Sequence, residues 1–123
     1  MCDETEIFMD KMQSFVPITR EGYSKSVKAN GKVLETVVIE DIFMPEIIKL
    51  LSTNENSDLL RNIFQYIEEL VNGNNSHIID ILSVTMFEIL GNDKEILKGA
   101  QKYMGPKSIM LQKEVDKELG RWK

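Results

Sequence analysis

The feature that most constrains this chain is a pair of amphipathic segments, residues 57–72 and 75–90, joined by a short polar turn around Gly73. In the first, Leu59, Leu60, Ile63, Phe64, Ile67, Leu70 and Val71 recur at i, i+3, i+4 and i+7, the spacing that lines one face of an α-helix. Asn56 or Ser57 stands where an N-cap belongs, and Gly73 stands where a helix closes. In the second, Ile78, Ile79, Ile81, Leu82, Val84, Met86, Phe87, Ile89 and Leu90 cover most of the circumference, which predicts a central helix packed on several sides. Asn74, Asn75 or Ser76 caps it and Gly91 ends it. So short a connection makes the two helices an antiparallel pair.

The flanking segments follow the same logic with weaker signals. Ile7, Phe8, Met12 and Phe15 predict a helix over residues 3–15, with Asp3 as N-cap, Glu6 completing a capping box and Pro17 stopping it. A short helix is expected over 18–28, closed by Asn30-Gly31. Residues 33–39 are rich in β-branched side chains and suit a strand or a helix, but no partner strand is evident. Ile42, Phe43, Ile47, Ile48, Leu50 and Leu51 are helically spaced, so helix is expected over 38–52 with a break near Pro45, which either kinks the helix or occupies the first turn of a second one. Asp93 opens a helix carrying Ile96, Leu97, Ala100, Tyr103 and Met104, stopped by Gly105-Pro106. Pro106 then opens a last helix, with Ile109, Met110, Val115 and Leu119 as its expected apolar side and Trp122 as a hydrophobic lock at its end. The expected fold is all-α: one domain over residues 1–123, six or seven helices in a compact HEAT-like array of helical hairpins, or alternatively a closed helical bundle.

Composition narrows the partners. The net charge of −5 and pI near 4.9 argue against nucleic-acid binding and against a polybasic membrane-surface binder. The acidity is uneven: 15 acidic against 7 basic residues over 1–92 (net −8), and 5 against 8 over 93–123 (net +3). Cys2 is the single cysteine, so no internal disulfide forms, and its acidic neighbours do not activate a thiol. No apolar run reaches membrane-span length and the first residues are acidic, unlike a secretory signal, so a cytoplasmic location is expected.

No catalytic constellation is legible, and the chain is read as a non-enzyme without cofactor or metal. His77 is the single histidine; with Asp80 at i+3 it makes too small a ligand set, and the simpler reading is a first-turn histidine beside a solvated aspartate. Neither phosphate-binding glycine motif occurs. Gly105-Pro106-Lys107-Ser108 precedes a helix whose N-terminus has room for one anion, although a plain interhelix turn explains it as well. Glu68 and Glu69 are adjacent, hence about 100° apart on a helix, and do not form the E-x-x-E pair that helical pyrophosphatases use to hold magnesium. The carboxylates therefore read as a solvated acidic face, whose functional version is a docking surface for a basic protein.

From Ile42 to Lys113 the chain resembles a family of small bacterial α-helical, HEAT-like proteins encoded beside polymorphic or contact-dependent growth inhibition toxins. The resemblance lies in the helix Leu60-Arg61-Asn62-Ile63-Phe64-Gln65-Tyr66-Ile67-Glu68-Glu69-Leu70, the polar turn through Gly73, the helix from Ile79 to Leu90, and the Tyr103-Met104-Gly105-Pro106-Lys107-Ser108 joint. Met44-Pro45 departs from the small-acidic pair that the family tends to show there. The resemblance implies an immunity protein that binds a cognate toxin, in many cases a basic nuclease, and blocks its active site or substrate path. A helical adaptor without a toxin partner is the alternative. Contact residues are then expected among Glu40, Asp41, Glu68, Glu69, Asp80 and Glu88, with Tyr66 as an aromatic anchor off the main apolar stripe of its helix.

Overall fold

In the computed structural model, which describes residues 4–120, those residues form seven helices and no strand. Helix α1 is Glu4–Phe15 and α2 is Thr19–Asn30, closed by Gly31 in the left-handed region (φ 71°), where the missing Cβ removes the steric cost. Helix α3 spans 35–53, α4 is Ser57–Val71, α5 spans 76–90, α6 is Lys94–Gln101 and α7 is Pro106–Glu118. Three caps fall where the sequence places them. Asn56 accepts from the Leu59 N–H, Asn75 from the Ile78 N–H, and Asp93 from the Glu95 and Ile96 N–H groups. Asp3, Cys2 and Trp122 lie outside the described residues.

Helices α4 and α5 form the middle of the molecule. Leu60, Ile63, Phe64 and Ile67 of α4 are fully buried, as are Leu82, Met86, Phe87 and Leu90 of α5. Helix α4 packs against α1, α3, α5 and α7, and α5 against α3, α4, α6 and α7. The helix that is apolar nearly all round is thus the one with neighbours on most sides.

Residues 33–39 resolve toward helix. Leu34 is extended, and α3 starts at Glu35. The expected break at Pro45 is replaced by a π turn, Ile39–Phe43, inside a continuous helix. There the Met44 N–H reaches back five residues to the Ile39 carbonyl, and Pro45 falls in the first turn of the next α segment, where its missing N–H costs little. A second π turn, Ser83–Phe87, interrupts α5 and packs against the first. Its hydroxyls back-bond into the ladder, Ser83 to the Ile79 carbonyl at 2.9 Å and Thr85 to the Ile81 carbonyl at 2.6 Å, the kind of local competition that loosens α-helical register.

Two apolar stripes differ from expectation. On α1 the buried residues are Thr5, Phe8, Met9 and Met12, followed by Val16, while Ile7 is 48% exposed and Phe15 half-buried. On α7, Met110 and Leu119 face solvent and the buried side is Ser108, Gln112, Val115 and Asp116. The reason is that α7 docks on a backbone carbonyl: Gln112 Nε2 donates to the Phe87 carbonyl at 2.8 Å and, within α7, to Asp116 Oδ1 at 3.1 Å.

Candidate functional site: an acidic and aromatic face around the first helix

Tyr66 lies off the most deeply buried line of α4 and turns toward α1. Its ring stacks on Phe8 (centroids 6.3 Å apart, planes 15° apart) and meets Phe15 at 5.9 Å. The Lys11 ammonium lies 5.7 Å from the centroids of both the Phe15 and Tyr66 rings, within cation–π range. The Tyr66 hydroxyl and Glu4 Oε1 are buried without a hydrogen-bond partner among the described residues. Burial, then the negative charges of Glu4 and Glu69, push the Tyr66 phenol up to about 12. Tyr66 is therefore half-buried against α1, with two carboxylates around it.

A second tyrosine reports the same sign of potential on the other flank of α1. Burial, then Asp10 and Glu6, raise Tyr23 above its ordinary value. Tyr23 lines a cleft of about 320 Å³ with Thr5, Glu6, Met9, Val33, Glu35, Asn75 and His77. His77 Nε2 sits 3.3 Å from both Glu35 oxygens, so the first-turn histidine has a partner on α3 that the sequence did not indicate. No group of three or more His, Cys, Asp or Glu among the described residues is arranged to hold a metal ion.

Of the carboxylates singled out from sequence, Glu68 has an internal task. Its Oε1 accepts from the Ser108 N–H and hydroxyl, both at 2.8 Å, and its Oε2 from the Lys107 N–H at 3.0 Å and the Asn72 amide at 2.8 Å. Burial acts to raise its pKa, and these hydrogen bonds outweigh burial and hold it below the usual carboxylate range. The anion at the N-terminus of α7 is thus Glu68 itself, a cap delivered from another helix. Gly105 makes room for it: a Cβ there would collide with Glu68 Cδ. Glu68 is accordingly not a free docking carboxylate.

The other candidates are dispersed. Glu40 and Asp41 are exposed on the π turn of α3, Asp80 is exposed on α5, and Glu88 is half-buried near the end of α5. Among the described residues, no hydrogen bond, ion pair or ring contact joins Glu40, Asp41 or Asp80 to the Tyr66 cluster. Of the expected set, the structure brings Glu69 to Tyr66 and adds Glu4 there; a separate group, Glu6, Asp10 and Glu35 around Tyr23, lies on the other flank of α1. A sequence signal for this face exists: Glu6 and Asp10 are i, i+4 on the side of α1 away from Phe8 and Met12.

A family model, Domain of unknown function (DUF7674), matches residues 9–120. The chain belongs to this family. The match takes in Tyr66, Glu68, Glu69 and the Gly105 joint, and begins after Glu4 and Glu6. No match to a curated protein or to a solved structure was found. Among the described residues, no helix is long and apolar enough to cross a membrane.

Proposed function

We propose that this protein of the DUF7674 family is an immunity protein, a stoichiometric inhibitor that binds a basic toxin domain in the cytoplasm and blocks its active site or substrate path. The observation that carries the reading is the acidic surface around α1, where Glu4 and Glu69 bear on Tyr66, and Glu6 and Asp10 bear on Tyr23. A half-buried tyrosine ringed by carboxylates combines an anchor suited to an interface hot spot with charges that steer a basic partner. The helix punctuation shared with toxin-associated immunity proteins supports the same reading.

The test is to co-produce this chain with the protein encoded next to it. The expected result is that the neighbour arrests growth alone, that growth returns when both are made, and that the two co-purify at one to one. A neighbour that is harmless alone, or that stays lethal in the presence of this chain, contradicts the proposal.

A further inference from the structure

Three observations converge between α1 and α4. The Phe15 and Tyr66 rings hold one ammonium, that of Lys11, at equal distance. The carboxylates Glu4 of α1 and Glu69 of α4 also bear electrostatically on Tyr66. Two polar atoms at this place, the Tyr66 hydroxyl and Glu4 Oε1, have no hydrogen-bond partner among the described residues. Aromatic faces attract cations, and adjoining carboxylates reinforce that attraction. Lys11 itself is exposed on a flexible stem and forms no ion pair among the described residues, so its ammonium can swing away.

We propose that the Phe15–Tyr66 ring pair, bordered by Glu4 and Glu69, is the docking point for an arginine or lysine side chain of a basic partner protein, with Lys11 as the resident cation that the partner displaces. The proposal rests on the reading of this chain as a binder of a basic protein and names the contact point. A guanidinium suits it best. Its plane stacks on a ring while its N–H groups reach a carboxylate, and it supplies the donors that Glu4 Oε1 lacks.

The experiment uses the isolated, isotope-labelled protein and two probes, N-acetyl-arginine amide and its neutral isostere N-acetyl-citrulline amide, followed by NMR. The expected result is saturable shifts at Phe15, Tyr66 and Glu69 with the arginine probe and none with citrulline. Lys11→Gln removes the internal competitor and is expected to tighten arginine binding about two- to fivefold, the equivalent of one exposed cation–π contact. Glu69→Gln weakens it by about the same factor, and Tyr66→Leu abolishes it. Equal response to both probes, shifts centred elsewhere, no shifts, or weaker binding by Lys11→Gln overturns the proposal, and the Lys11 variant decides even if Tyr66→Leu fails to fold. Growth rescue without probe binding leaves the immunity reading intact and removes this docking point, whereas probe binding without rescue does the reverse.

Discussion

The α4–α5 hairpin and the last helix, α7, are held to the same core by different forces. The hairpin docks through fully buried Leu60, Ile63, Phe64, Ile67, Leu82, Met86 and Phe87, and its stability scales with apolar area removed from water. Helix α7 presents Ser108, Gln112 and Asp116 along much of its buried side, with Met110 and Leu119 left outside. It is fixed by named donors and acceptors: Glu68 at its first turn and the Phe87 carbonyl in its middle. The lesson is that an apolar stripe announces a helix's buried face only when the neighbour offers side chains. Where the neighbour offers a π-turn carbonyl or a carboxylate, the buried face is polar.

That contrast can be broken by mutation. The largest effect is expected in the hairpin. Phe64→Ala empties a fully buried site and should cost about 3–5 kcal/mol, measured by urea denaturation. Next comes the Glu68 clamp. Glu68→Ala removes four hydrogen bonds to one carboxylate and strands two N–H groups at the start of α7, for an expected loss of about 1.5–3 kcal/mol. Gly105→Ala, whose Cβ has no room beside Glu68, should cost about 1–3 kcal/mol by pushing the same carboxylate off its donors. If Phe64→Ala proves milder than Glu68→Ala, the distinction between apolar and polar docking fails.

The clamp also has a pH signature. The folded-state pKa of Glu68 lies below its ordinary value, so its stabilisation is fully present above the unfolded carboxyl pKa and is lost as pH falls through the lower folded value. The difference in unfolding free energy between the protein and Glu68→Gln is therefore expected to be constant near neutrality and to shrink below about pH 4. A difference that grows on acidification contradicts the assignment. The smallest effect is expected at a cap: Asp93→Ala should lower stability by about 1 kcal/mol and raise amide exchange in the first turn of α6.

The same contrast explains what was legible in the sequence. The hairpin could be read to within a residue, because its period, its Asn caps and its Gly73 and Gly91 stops all act locally. The start of α3 was ambiguous because Thr36-Val37-Val38-Ile39 suits either state, and helix wins once Val38 and Ile39 are buried against neighbouring helices. The buried face of α7 was not legible, since its partners Glu68 and Phe87 lie 40 and 25 residues away in sequence. The same limit governs the candidate site. Glu68 and Glu69 look equivalent in sequence, yet one is consumed by a distant helix end and the other remains exposed beside Tyr66. Glu6 reads in sequence as a capping-box residue and Asp10 as an ordinary exposed acid of α1, and only packing sets them beside Tyr23.

The most direct test of the proposal that the acidic surface around α1 captures a basic protein is the association rate with the protein encoded beside this chain, followed across ionic strength. Charge reversal of Glu69 and Asp10 to Lys is expected to slow association by about tenfold or more at low salt and to flatten its salt dependence, while Glu40→Lys with Asp41→Lys, exposed on the π turn of α3, changes it little. Equal effects of the two pairs, or rates indifferent to reversal at α1, would contradict the account.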